Sequence, residues 1–390
     1  QLPAGRPMKM APAHDAMDAA GAVWGTSWDM EVPLYFAPKD FAETPTLKRS
    51  NAHDIVAEEC RAVRGAVGLL DISAFSRYEV TGPDAESWLD GLLACKLPKP
   101  GRAKLAPMLA EDGRLKGDLT VFNWGDGTWW IMGSYYLRRW HMRWFNDHLQ
   151  GNVFVRDLGE EVCGFSLAGP NSRAVIESLT EDPVGALPFM GCGRFDIGLI
   201  RASVARMSVA GELGFEINCR YGDHVALRRM LLEAGAEHGI REYGFNALLS
   251  LRLEKSFGIW SAEFTQGYTP GMTGMDRWIA WDKPAFTGRA AAIAERDGNG
   301  PAKKLVTLEI ADGDSDASGL EPIWSNGEKA GFVTSGGFGH TLKKSLAMAL
   351  VEPDVSEPGT DLSVHVVGVE RAARVIPPSP YDPEGLAMRG

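Results

Sequence analysis

Several signatures that would announce a chemistry are missing from this 390-residue chain. No G-x-x-x-x-G-K-[ST] occurs, so phosphate cradling of the P-loop kind is not expected. No G-x-G-x-x-G follows a strand pattern, so the chain carries no dinucleotide domain of its own. The eight histidines form no H-E-x-x-H pair, and G-x-S-x-G is absent, which disfavours a zinc hydrolase and the usual nucleophile elbow. The five cysteines (Cys60, Cys95, Cys163, Cys192, Cys219) are scattered without C-x-x-C or metal spacing, and read as reduced thiols of a cytoplasmic protein. No window approaches 18 apolar residues, and the first thirty residues lack the apolar core of a secretory signal, so no membrane partner is expected. Basic residues are outnumbered, 40 Lys and Arg against 51 Asp and Glu, for a net charge of −11. Nucleic acid and anionic membranes both need basic surface, so neither is an expected partner. Carboxylate chemistry without metal or covalent nucleophile is what remains.

The composition is that of a well-packed globular protein, 45% hydrophobic and 23% charged, and the length implies two to four domains. Residues 1–50 are rich in Pro and Trp and weakly periodic, and read as an extended strap packed on something else. A helix is predicted over Ala52–Val63, with strands at Val67–Leu70 and Arg77–Val80. Pro83 opens a helix whose Ala85, Trp88, Leu89, Leu92 and Leu93 share one face. Strands at Asp118–Asn123 and Thr128–Met132 flank Gly125-Asp126-Gly127, a hairpin signal. The order recurs with helices at Pro170–Leu179 and Phe245–Phe257 and strands at Ala202–Ser208 and Leu213–Cys219. This predicts two α+β units, residues 51–160 and 161–297, each with helices on a mostly antiparallel sheet. Residues 298–390 carry short strands and turns with no helical pattern, which predicts a small barrel or sandwich. Gly336-Gly337-Phe338-Gly339 reads there as a hairpin.

Two acids stand out. Asp112–Val121 reads D-G-R-L-K-G-D-L-T-V and delivers Asp118 at a loop-to-strand junction, held rigidly yet able to face a cleft as a general base must. Taken alone, a solvated turn aspartate explains it as well. In G-E-L-G-F-E-I (Gly211–Ile217), alternation puts Phe215 and Ile217 on one face and Glu216 on the other. That face is either wet or turned to an internal cleft, where a carboxylate suits the paired N–H donors of a flat heterocycle.

With these residues in view, the chain resembles the aminomethyltransferase (glycine-cleavage T-protein) family, in particular the folate-binding C-terminal half of dimethylglycine and sarcosine dehydrogenases. The matching stretches are Gly65–Asp71, Val80–Ala85, Gly113–Leu119, Leu167–Pro170, Gly211–Ile217, Ser250–Lys255, Val333–Gly337 and Tyr381–Gly385, in family order over roughly residues 50 to 390. The resemblance implies a three-domain α+β cloverleaf of two ferredoxin-like units and a C-terminal β-barrel, with tetrahydrofolate in a central channel. It implies Asp118 as catalytic acid, Glu216 as pterin ligand, and Tyr381 near a ligand position. It also implies a small methylated amine as one-carbon donor and a flavin-containing oxidoreductase half or subunit as partner. A fragment, a subunit and a free-standing relative all stay open.

The chain departs from the family at Val209 and Leu105, where tyrosines are common, and at Leu248, where T-proteins carry Arg. Tyr135, Tyr136 and Trp140 are candidates for replacement aromatic contact, Tyr135 as a cofactor ligand, with core packing as the alternative. A folate-dependent demethylase of a methylated sulfur or oxygen compound, and a non-catalytic folate-binding module, are the competing functions.

Overall fold

The computed structural model describes residues 5–390, so the first four residues of the predicted strap lie outside it. The fold is α+β and ends in a closed barrel. Five antiparallel strands form the first sheet, in the order Arg102–Leu109, Leu115–Asn123, Trp129–Ser134, Phe75–Thr81, Phe154–Asp157. Its alternation is strict along the second of these strands. Leu119 and Val121 pack under Trp88 and Leu89 of the helix Ala85–Leu92, while Phe122 points the other way, beside Trp130 and Met132. The predicted amphipathic stripe of that helix is the face it buries.

The second sheet has six strands in the order Cys192–Ile197, Ile200–Ala205, Gly214–Arg220, Val162–Ala168, Val67–Asp71, Ile240–Glu242, and only the last pair is parallel. Phe215, Ile217 and Cys219 join Phe165, Val175, Leu227 and Leu231 in its apolar core. Full burial of each large side chain contributes about 1.5–3 kcal/mol. The chain does not change sheets at a single boundary. Val67–Asp71 precedes every strand of the first sheet, yet it pairs with Val162–Ala168 of the second. All five of its residues are buried, so it needs cover on both faces, and a place inside the second sheet supplies it.

The barrel closes in the order Lys304–Ile310, Lys344–Val351, Glu328–Gly339, Pro322–Ser325, Asp361–Val366, Val369–Ile376. The last strand, V-E-R-A-A-R-V-I, has no sequence signal comparable to the other five, and it is selected by closure: it pairs with Lys304–Ile310. The glycine run at 336–339 is not a hairpin but the end of a twelve-residue strand, and the turn follows it. A Cβ at Gly336 would stand 2.3 Å from the Ala317 carbonyl, so glycine there permits a close backbone approach. Contrary to the purely β reading of this region, a short helix, Leu386–Arg389, follows the barrel.

The opening segment holds a helix, His14–Ala19, and a hairpin, Ala22–Ser27 with Met30–Phe36. It has no core of its own: Met17 and Phe36 join the second-sheet core, while Met30 and Val32 pack on Tyr135. Among the described residues, no helix is long and apolar enough to cross a membrane.

Candidate functional site

The turn before Leu115–Asn123 is closed by Gly113 in the left-handed region (φ +80°), a conformation a side chain resists. Asp118 then lies opposite Pro107. Its Oδ1 is shut off from solvent and meets no hydrogen-bond partner among the described residues. Burial pushes the carboxyl from an ordinary 3.8 up to about 7. The Tyr136 hydroxyl is close enough for the Asp118 charge to raise its own pKa, and it too is buried without a partner. Ser261 approaches that hydroxyl without completing a hydrogen bond, from a residue held at φ +73°.

Glu216 lies on a central strand of the second sheet, opposite Ala205 on one side and Ser166 on the other. Gly211, at φ +79° in the preceding turn, packs on Lys255, where a Cβ would fall 2.5 Å from Cγ. Glu216 is 7% exposed. Burial pushes its carboxyl up to about 7, the Arg77 charge pulls it down, and no hydrogen bond contributes.

The two acids belong to facing surfaces. Arg77, Met132, Thr120 and Leu105 are successive cross-strand partners, so their side chains share one face of the first sheet, and Asp118 shares it two residues from Thr120. Glu216 and Asn218 share the corresponding face of the second sheet. Across the gap Arg77 Nε donates to Asn218 Oδ1 at 2.7 Å. Phe122, Trp130 and Met132 pack in one cluster with Cys192 and Ala205 of the second sheet. Each acid is thus carried on the face its sheet turns toward the other. The residues beside Glu216 are small (Ser166, Ala205). A surface cleft of about 400 Å³ lined by Asp84, Trp88, His148 and Thr287 lies on the helical side of the first sheet, away from both acids. No group of three or more His, Cys, Asp or Glu suited to a metal occurs among the described residues.

The candidate tyrosines go elsewhere. Tyr135 Oη donates to Glu160 at 3.1 Å and takes a bond from Lys9 Nζ at 3.1 Å, tying the opening segment to the first sheet. Tyr381 Oη donates to Glu212 Oε1 at 2.6 Å, and its ring lies 3.8 Å beneath the Arg64 guanidinium. Arg64 also donates to Glu212 at 3.0 Å and to Glu254 at 2.9 Å, with all three side chains buried. Removing a buried guanidinium leaves two uncompensated carboxylates. Arg64→Met is accordingly expected to lower the unfolding free energy by about 3 kcal/mol in urea titrations; a loss under about 1 kcal/mol would show that the pair is not integral to the fold.

The apolar departures are mutually consistent. Val209 and Leu248 pack in a single apolar cluster with Leu70, Tyr243 and Phe75, whereas Leu105 sits on the Asp118 face opposite Thr120. Of the two residues beside the acids, Arg77 escapes pattern reading as a site member, whereas Tyr136 is named there only as a replacement aromatic contact and not as a hydroxyl beside Asp118. Arg77 shows only as the polar position of an alternating strand, and Tyr136 lies in a short 3-10 turn whose direction depends on tertiary packing.

Comparison with known proteins agrees with this architecture. The GCVT N-terminal domain family matches residues 13–283, and the glycine cleavage T-protein C-terminal barrel domain matches residues 303–382. Dimethylglycine dehydrogenase from Rattus norvegicus is 32% identical over 90% of this chain, which spans only 41% of that relative's length. An aminomethyltransferase from Geobacillus sp. strain WCH70 is 31% identical over 82% of the chain and 89% of its own length. The crystal structure of aminomethyltransferase T from Bartonella henselae superimposes with a TM-score of 0.85, at 23% identity, over 96% of this chain and 98% of that one, and supports the fold. The chain belongs to the glycine cleavage T-protein (aminomethyltransferase) family.

Proposed function

We propose that the chain transfers a one-carbon unit from a methylated amine to tetrahydrofolate, as the folate-binding half of a dimethylglycine or sarcosine dehydrogenase-like system. One observation carries this reading: two carboxylates stand on facing sheet surfaces, half-buried Asp118 with Oδ1 sealed from solvent and unpartnered among the described residues, and buried Glu216 with no hydrogen bond contributing to its carboxyl. Buried polar groups are nearly always paired, so such orphans point to a ligand that supplies the partners. A reduced pterin fits, because its amino-pyrimidine edge offers adjacent N–H donors to Glu216 and its amine nitrogens suit an acid such as Asp118.

When bound, tetrahydrofolate would supply the nucleophilic amine that takes up the carbon, which arrives as an iminium after the proposed flavin partner has accepted two electrons from the methylated amine. Glu216 fixes its orientation by accepting N–H bonds, which converts a chance encounter into a positioned one. Asp118, titrating near pH 7, orients an N–H at Oδ1 and accepts its proton as positive charge develops. The enclosing aromatic residues of the first sheet, Phe122 and Trp130, exclude water from the interface. Tyr136 then places a neutral hydroxyl beside Asp118, available to the donor amine. Tyr136→Phe is expected to cut turnover about tenfold with no loss of thermal stability, since the hydroxyl it removes is unsatisfied. Unchanged turnover would exclude Tyr136 from the site.

A flavin-containing half or subunit is the proposed partner, because the rat relative extends well beyond the region this chain covers. Titration calorimetry with tetrahydrofolate, followed by product analysis with a methylated amine and the flavin partner, tests the whole. Methylene-folate is the expected product. Methyl-folate would select a sulfur or oxygen demethylase, and tight binding without turnover a non-catalytic module.

A further inference from the structure

Arg77 is 1% exposed and forms no ion pair with any described residue. Its guanidinium spends three N–H groups on Asn218 Oδ1 at 2.7 Å, the Phe75 carbonyl at 2.9 Å and the Ile72 carbonyl at 2.9 Å. None of these neutral acceptors cancels its charge, and burial pulls its pKa down. An uncancelled charge in a packed interior is costly, so something nearby must make use of it. The groups that feel it lie on the second sheet, at Glu216, Asp71, Cys163 and Cys219, and on the helix packed against it, at His224, whose imidazole burial holds below its ordinary range. Asp71 is engaged locally, accepting from the Ser73 N–H at 2.6 Å, and the two cysteines are buried with free thiols. Tyr243 also faces Glu216, from the loop before the helix Phe245–Leu253, and is held neutral by burial. Glu216 is thus the one carboxylate in reach without a partner, and it stands two residues from Asn218 on the same face.

We propose that Arg77 is a positioning residue: locked to the Glu216 strand through Asn218, its guanidinium supplies a positive charge that partly offsets the burial of Glu216 and favours the anion, the form able to accept a ligand's N–H donors, inside a dry interface. Contact without a salt bridge is the useful arrangement. A direct Arg–Glu pair would occupy the acceptor oxygens, whereas a charge held one residue pair away favours the anion and leaves both oxygens open. Arg77 comes from the first sheet and Glu216 from the second, so ligand affinity is tied to correct docking of the two.

The ligand part rests on the folate reading above; the electrostatic part does not, and the test separates them. Carboxyl carbons are labelled with ¹³C-glutamate and the Glu216 resonance, assigned with Glu216→Gln, is titrated by NMR in ligand-free protein. Arg77→Met is expected to raise its midpoint by about one pH unit, and Arg77→Lys, which keeps the charge, to leave it within a few tenths. Asn218→Asp, nearly isosteric and therefore informative if Arg77→Met does not fold, cancels the Arg77 charge and is expected to raise the midpoint also. An unmoved midpoint in these variants overturns the proposal. In the Asp118→Asn background, tetrahydrofolate affinity should show the same alkaline shift. Absence of any tetrahydrofolate binding, with the NMR shift intact, would retire the folate reading and leave the role of Arg77 standing.

Discussion

Asp118→Asn is expected to abolish one-carbon transfer by about three orders of magnitude and, at the same time, to make the protein more stable at neutral and alkaline pH. The loss follows from what asparagine cannot do: it has no anionic oxygen to stabilise positive charge or take a proton. The gain follows from burial. A carboxyl held at about 7 when folded binds its proton more tightly than in the unfolded chain, where it titrates near 3.8. Its contribution to folding is fully present below about pH 4 and is lost as pH rises through 7. The displacement corresponds to an upper bound of about 4 kcal/mol, reduced by whatever solvent reaches the group. Asparagine carries no such term. Calorimetric melting temperatures of the two proteins should therefore coincide near pH 4 and diverge above pH 7 in favour of the variant. A variant less stable than wild type at pH 8, with turnover intact, would remove Asp118 from the site.

Replacing Glu216 by Gln should weaken tetrahydrofolate binding by two to three orders of magnitude while circular dichroism stays unchanged. Hydrogen bonds to a charged acceptor contribute about 1.5–3 kcal/mol each, and a carboxylate accepts two at once where an amide offers one oxygen. The same buried carboxyl predicts a pH dependence in the wild type. With its value near 7, protonation on the acid side removes an acceptor, so affinity should fall as pH drops from 8 to 6. Flat affinity across that range, or full affinity in Glu216→Gln, would mean that the ligand is held by other groups. Both variants delete a buried charge, so both are expected to exchange function for stability, the usual sign of a strained site.

The long periodic elements were legible. The helices His53–Gly65 and Ala85–Leu92 and the strand around Glu216 fall where spacing and turn chemistry place them, whereas the strand expected to open at Asp118 opens at Leu115, so that Asp118 stands inside it and not at a loop-to-strand junction. The helix predicted to Phe257 ends at Leu253, before Ser256 at φ +54°, a boundary set by a backbone conformation that no pattern announces. The strands missed, Arg102–Leu109, Val162–Ala168, Cys192–Ile197 and Val369–Ile376 among them, are irregular in polarity or continuously apolar, where period two is invisible. Tyr135 and Tyr381 show where the sequence leaves two readings open. An aromatic with a hydroxyl is equally a ligand contact or a structural hydrogen bonder, and here their hydroxyls bind Glu160 and Glu212.

By itself the sequence singled out Asp118 and Glu216 as candidates and set the strand face of Glu216, because side-chain alternation is a property of the local backbone. Which face meets which was decided only in three dimensions. Sheet order depends on pairing across long separations, as when Val67–Asp71 crosses into the second sheet. The desolvation that lifts both carboxyls to about 7, and the Arg77–Asn218 bond spanning 141 residues, exist only once two sheets have closed on each other.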